Sequence, residues 1–134
     1  MSNSVISLGE LLNDAELFTD GDWVESKDQD EAGNFRLIQL ADIGDGYFVN
    51  KSARFMNQDA FIRLRCTELR EGDLLIARMP DPLGRACIFP GDQKKCATAV
   101  DVCIIRPNQK RVDVDWLKHA INSQSVRMQI KSYS

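Results

Sequence analysis

The chain has 134 residues, of which 43% are hydrophobic and 28% charged, and it holds no apolar run near the roughly 20 residues that a membrane helix needs. Such a length and balance describe about one globular domain with one real core, and exclude a disordered chain. The net charge of −3 hides an asymmetry: residues 1–34 hold nine acids and one base, whereas residues 35–134 hold eleven acids and sixteen bases, a net of +5. An acidic total does not exclude nucleic acid, because counterion displacement needs only a local basic surface. Met1-Ser2-Asn3-Ser4 lacks the basic start and apolar stretch of a signal peptide, so the cytoplasm is the default compartment.

Ser7-Leu8-Gly9-Glu10 has the spacing of a capping box and predicts a short helix over 7–12. An acidic, turn-prone stretch follows from Asp20 to Asp28. The apolar content of residues 35–40 predicts a strand, Gly44-Asp45-Gly46 a tight turn, and Tyr47-Phe48-Val49 a return strand. Asn57 is placed to cap a helix running to about Arg65, with Ala60, Phe61 and Leu64 on one side. Glu71-Gly72-Asp73 reads as a turn, residues 74–77 as a buried strand, and 79–84 as a loop, since Pro80, Pro82 and Gly84 break any ladder. Residues 86–89 form another strand, and residues 98–105 make the longest β-like run, ended by Pro107-Asn108. Asp113 caps a helix carrying Val114, Leu117 and Ile121 at i, i+3, i+7, Asn122-Ser123 interrupts it, and Ser125 starts a last helix through about Lys131. Many short strands with peripheral helices, rather than strict βαβ alternation, predict a single α+β domain over 1–134 with one mixed or mostly antiparallel sheet.

Cys66, Cys87, Cys96 and Cys103 form no C-x-x-C pair, and with His119 as the one histidine a zinc site is not expected; the four read as reduced, partly buried thiols. Trp23 and Trp116 read as core residues rather than stacking platforms.

Five segments, taken in order, carry a resemblance: Gly21-Asp22-Trp23-Val24-Glu25-Ser26-Lys27-Asp28; Arg36-Leu37-Ile38-Gln39-Leu40-Ala41-Asp42-Ile43-Gly44-Asp45-Gly46; Glu71-Gly72-Asp73-Leu74-Leu75-Ile76-Ala77-Arg78-Met79-Pro80-Asp81-Pro82-Leu83-Gly84-Arg85-Ala86; Thr98-Ala99-Val100-Asp101-Val102; and Ile121-Asn122-Ser123 with Arg127 and Ile130. Each is weak alone, but together the chain resembles the N-terminal target-recognition domain of the type I restriction-modification specificity-subunit family. The resemblance implies a fold whose loops enter the major groove of double-stranded DNA. It also implies a non-catalytic role in phage defence, beside modification (methyltransferase) and restriction subunits that supply the chemistry, and it implies no cofactor. Such subunits carry two recognition domains joined by long helices, whereas this sequence holds one and stops about where a spacer helix would begin. A natural half-subunit would be an interaction module that docks on the modification subunit and reads DNA only as a dimer.

Base edges are read by side chains with paired donors and acceptors, and phosphates are held by Arg, Lys and hydroxyls. The candidates are Arg78 and Arg85, which flank the proline-stiffened loop; Lys27 and Gln29, which follow Trp23; Lys51 and Arg54 after the first hairpin; Lys94 and Lys95 on a further loop; and Arg36, in a strand with Gln39. A purely structural alternative pairs Asp81 with one of the loop arginines. Enzyme readings fail on motif order and context. Glu25-Ser26-Lys27 precedes Pro80-Asp81, the reverse of the usual nuclease order, and no metal ligand set is expected. A methyltransferase would need a Gly-rich cofactor loop and an Asn-Pro-Pro-aromatic or Asp-Pro-Pro-aromatic segment, but Asp81-Pro82 is followed by Leu83-Gly84. His119 falls in a helix without a nucleophile, and Gly44-Asp45-Gly46 opens no helix and is no phosphate cradle.

Overall fold

A computed structural model describes residues 15–78, 85–108 and 113–122. Among them run strands β1 (Leu17–Thr19), β2 (Phe35–Ile38), β3 (Arg54–Met56), β4 (Leu74–Ala77), β5 (Ala86–Ile88), β6 (Lys95–Thr98) and β7 (Val102–Arg106), with helices α1 (Gln58–Arg63) and α2 (Val114–Asn122). The expected α+β class holds, but the strands divide between two sheets rather than forming one. The first has the order β1-β7-β4-β5 and is antiparallel throughout; the second has the order β3-β2-β6, with β2 and β6 parallel.

Side-chain alternation stacks these sheets in layers. In the first sheet Leu75 lies opposite Ile104 and Cys87, and Ala77 opposite Val102. These residues pack on Ile38 and Cys96 of the second sheet, with Ile43, Leu69 and Phe89 filling the gap. The second sheet turns Leu37 and Met56 the other way, onto Ala60 and Phe61 of α1, where the Phe35 and Phe61 rings stack 4.4 Å apart. Strand β4 is buried on both faces, which is why it reads as an unbroken apolar run rather than an alternating one.

Local signals place several boundaries. The Asn57 carboxamide oxygen accepts the Ala60 N–H at 2.8 Å and starts α1 as expected. Gly46 and Gly72 both have positive φ, at 98° and 93°, in the two expected turns. Asp113 caps α2 through the N–H groups of Asp115 and Trp116. The Asn122 side chain of α2 is spent on the sheet: its amide NH2 donates to the Ala86 carbonyl at 3.1 Å and its amide oxygen accepts the Ala86 N–H at 2.8 Å. The outward edge of β5 is thereby paired as another strand would pair it. The helices expected over 7–12 and 125–131, and the loop over 79–84, lie outside the described residues.

Three expectations need correction. The β-like run over 98–105 is broken by a tight turn, closed by the Val102 N–H on the Ala99 carbonyl at 3.0 Å, and at this turn the chain crosses from the second sheet to the first. Thr98-Ala99-Val100-Asp101-Val102 contains no Gly or Pro, so composition does not mark it. The return strand at 47–49 shrinks to a single bridge between Ile43 and Phe48, because Asp42 takes the chain into a turn. Strands β1, β3 and most of β6 carry little apolar alternation and were not expected; backbone pairing to longer neighbours makes them strands.

One device recurs. Asp28, Asp42 and Asp73 are each buried, and each accepts the backbone N–H of the residue three earlier: Glu25 at 3.1 Å, Gln39 at 2.9 Å and Arg70 at 2.8 Å. Each also faces a distant arginine: Arg63 at 2.8 Å, Arg36 at 3.7 Å, and Arg106, which grips Asp73 with both Nε and Nη2. Buried carboxylates persist only when paired and hydrogen-bonded. The three clasps therefore tie local turns to the sheets and to α1.

Two of these carboxyls are held below the ordinary carboxylate range. For Asp28 the hydrogen bond from Arg63 is the main cause, followed by the Glu25 N–H. For Asp42 burial pushes upward, but the N–H of Gln39, the Ser52 hydroxyl and the N–H groups of Ser52 and Lys51 together outweigh it. A carboxyl whose pKa is lower folded than unfolded lends stability that is complete above its unfolded value, near 3.9, and is lost as pH falls through the folded value. Asp22 acts in the opposite sense, its pKa raised by burial against weaker lowering from Thr67 and Cys66. With two carboxyls against one, the urea midpoint followed by circular dichroism is expected to hold steady from about pH 8 to pH 5 and to fall below about pH 4. An unchanged or higher midpoint at pH 3 would show that the clasps contribute nothing.

Candidate nucleic-acid interface

The nine sequence candidates part into those spent on the fold and those left at the surface. Arg36 is spent. It is 7% exposed, and its Nη1 lies 3.3 Å from Asp92 while its Nη2 donates to the Ser52 carbonyl at 3.0 Å. The guanidinium also lies 6.0 Å from the centre of the Phe48 ring. Both ends of the fork are committed inside the molecule, on the face of β2 that packs toward the first sheet. Arg85 is half-buried and also points inward: its Nε donates to the Ile43 carbonyl at 2.6 Å and its Nη2 to the Leu40 carbonyl at 3.3 Å. It anchors the turn at 40–43.

Arg78 differs from its expected partner. It follows β4, its backbone N–H donates to the Asp101 carbonyl at 2.8 Å, and its exposed guanidinium pairs with Asp20 at 2.9 Å. Arg78 and Arg85, on either side of residues 79–84, thus have different employment. Pro80, Asp81 and Pro82 lie outside the described residues, and so does the alternative of an Asp81 pair.

The remaining six gather around the second sheet. Lys27 stands exposed on a single 3-10 turn, Ser26–Asp28, with its Nζ 3.4 Å from Glu25. Gln29 ends that turn and is half-buried. The Asp30 N–H donates to the Phe55 carbonyl at 2.9 Å, so this segment lies along β3. Lys51 and Arg54 are exposed just before and at the start of β3. Lys94 is exposed, with its Nζ 5.5 Å above the Phe55 ring and 3.4 Å from the Gly33 carbonyl. Lys95 is not on a loop as expected but opens β6, where it too is exposed. Five side chains of this group, Lys27, Lys51, Arg54, Lys94 and Lys95, present cationic tips from short segments, as phosphate positioning requires.

Three further exposed cations among the described residues lie outside the sequence candidates. Arg63 closes α1 while holding Asp28, Arg65 follows with a left-handed φ of 54°, and Arg70 precedes the turn at 71–73. A base in the last turn of a helix is a legible signal, because it complements the helix dipole; nothing in the sequence marks Arg65. The tryptophans also need correction. Trp23 is 76% and Trp116 54% exposed. Trp23 follows the bridge that joins Asp22 to Ala99, and the neighbouring Val24, not the tryptophan, packs onto the α1 core.

The four cysteines are free thiols, three of them buried, and burial pushes each thiol up to about 12. They are therefore poor nucleophiles and poor metal ligands near neutral pH. Among the described residues no group of three or more His, Cys, Asp or Glu side chains converges as a metal site, and no helix is long and apolar enough to cross a membrane.

No protein-family model and no curated protein sequence matches the chain. Solved structures do. The chain is similar to one from a type I restriction-modification system, solved to explain complex assembly and conformational transition, at 19% identity and a TM-score of 0.61 over 83% of this chain and 25% of that one. It is also similar to the HsdS subunit from Thermoanaerobacter tengcongensis, at 16% identity and a TM-score of 0.64 over 89% of this chain and 27% of that one. The chain spans about a quarter of the length of both. These likenesses show the fold: over more than four-fifths of its length the chain is folded like a domain of the HsdS subunit of type I restriction-modification systems.

Proposed function

We propose that the chain is a sequence-specific reader of double-stranded DNA, recognising one half of a split target for a type I restriction-modification complex, without catalytic chemistry of its own. The observation that carries this reading is the likeness to a specificity subunit and to a type I system over more than four-fifths of the chain. The geometry is in keeping with it. Lys27 and Lys51 stand on segments held by the Asp28 and Asp42 clasps, so phosphates would be met there by a surface that loses little freedom on binding. Lys27, Lys51, Arg54, Lys94 and Lys95 are assigned to phosphate positioning, and Arg78, which follows β4, to reading a base edge. Arg36 and Arg85 act indirectly, by holding the turns. The modification and restriction subunits are the partners, and the working compartment is the cytoplasm.

The test is a selection from randomised duplexes on the purified chain, at low and at physiological salt. Enrichment of one short motif is expected, with Arg78→Ala relaxing preference at a single position at a cost of about 1–3 kcal/mol. Lys94→Ala should instead weaken all sequences alike and make the salt slope shallower by about 0.9. Binding without any preferred sequence would sink the reading for the isolated chain.

A second reading is favoured by Trp116, half-exposed on α2. Exposed tryptophans are typical anchors of protein interfaces. In this reading the chain docks on the modification subunit and reads DNA only as a dimer. Trp116→Ala would then abolish co-purification with that subunit while leaving the melting temperature unchanged; retained co-purification would rule it out.

A further inference from the structure

The ion pair between Asp20 and Arg78 is built unlike an ordinary surface contact. Most exposed pairs hold two flexible side chains on mobile backbone and contribute little. Here both partners rise from backbone fastened to the same turn between β6 and β7. On the Asp20 side, Gly21 lies against Ala99, so close that a Cβ there would stand 1.9 Å from the Ala99 carbonyl oxygen, and the Asp22 N–H donates to the Thr98 carbonyl at 2.9 Å. On the Arg78 side, the backbone N–H donates to the Asp101 carbonyl at 2.8 Å. The carboxylate and the guanidinium are brought to 2.9 Å by this scaffold, yet they remain 58% and 42% exposed, within reach of a large ligand.

A carboxylate facing a guanidinium offers what a phosphate offers, two acceptor oxygens and a negative charge. A phosphate that approaches Arg78 therefore meets the negative charge of Asp20 and competes with it for Nη1. We propose that Asp20 is a specificity-determining residue. Its carboxylate occupies Arg78 against random phosphates and yields it only where a matched site supplies a bidentate base edge. The inference rests on the DNA-reading function proposed above and adds a discriminating role for an acid, through an element of repulsion built against wrong ligands.

The experiment measures binding of the full 134-residue chain to two fluorescent duplexes, one of random sequence and one carrying the selected motif, across a salt series. Asp20→Asn, Arg78→Ala and the double variant are compared with the parent, and Asp20→Glu serves as the conservative control. Asp20→Asn is expected to tighten binding to the random duplex by about two- to five-fold, to steepen its salt slope by about 0.9, and to lower the ratio of specific to random affinity. In the Arg78→Ala background the same substitution should change random binding little, because Asp20 acts through Arg78. Asp20→Glu should keep the parent's ratio. An equal gain with and without Arg78 would overturn the inference, since any lost acid attracts DNA. No gain at all from Asp20→Asn would overturn it too, while an intact selected motif would leave the reading function standing. Absence of duplex binding by every variant would overturn the reading function, and the role of Asp20 with it.

Discussion

Asp42→Ala is expected to destabilise the protein by about 4 kcal/mol, a fall in melting temperature of roughly 12–20 °C for a domain of this size. The side chain is fully buried, and its two oxygens serve four donors: the Gln39 N–H, the Lys51 N–H at 2.6 Å, the Ser52 N–H at 2.8 Å and the Ser52 hydroxyl. Removing the carboxylate leaves three partly buried backbone N–H groups without their acceptor, and each unsatisfied donor costs about 1–3 kcal/mol. Arg36 loses one neighbour but keeps Asp92 and the Ser52 carbonyl, so the loss falls mainly on the backbone donors. Asp42→Asn separates this account from one based on volume. Whichever way the amide is turned, its NH2 group faces at least one N–H donor, so the isosteric variant should lose more than half as much stability as alanine. Thermal unfolding by circular dichroism reads both, and an Asn variant as stable as the parent would show that packing, not acceptance, is what Asp42 contributes.

Gly21→Ala is the second large effect, about 3 kcal/mol or more, roughly 10 °C in melting temperature. The added Cβ would stand 1.9 Å from the Ala99 oxygen, 2.6 Å from the Ala99 carbonyl carbon and 2.6 Å from Thr98 Oγ1. Two of these three atoms are backbone with little room to yield. The Ala99 N–H is bound to the Ile38 carbonyl at 2.8 Å, and the Ala99 carbonyl closes the turn onto Val102. Relief must come from the 20–22 segment, which would part Asp22 from Thr98 and shift Asp20 away from Arg78. If the proposed role of Asp20 is right, the surviving folded fraction should also bind random duplex more tightly. A parent-like melting temperature would mean that the close approach relaxes freely.

The sequence and the structure agree most where local chemistry decides. Asn57 before an amphipathic turn, glycines at 46 and 72 where φ is positive, Asp113 ahead of α2 and the unbroken apolar strand β4 all carry their reasons in neighbouring residues. They disagree where the partner is remote. Arg36 and Arg78 are alike in the sequence, both arginines beside apolar strands. One is buried by Asp92, 56 positions away, and by Ser52, while the other reaches the surface beside Asp20. Trp23 misleads for a related reason: an aromatic ring has apolar surface to bury, but Val24 and the stacked Phe35 and Phe61 already fill the space above the second sheet.

The sequence by itself determined the α+β class, strands β2, β4 and β5, the turns at Gly46 and Gly72 and the free thiols of the cysteines, because these depend on backbone preferences and on local apolar content. Only the tertiary structure decided that there are two sheets, where the chain crosses between them, and which of the nine candidate side chains are available. Those outcomes depend on pairing between residues far apart in the chain. A buried carboxylate commits an arginine that composition alone would leave at the surface, and no local pattern records which carboxylate will meet it.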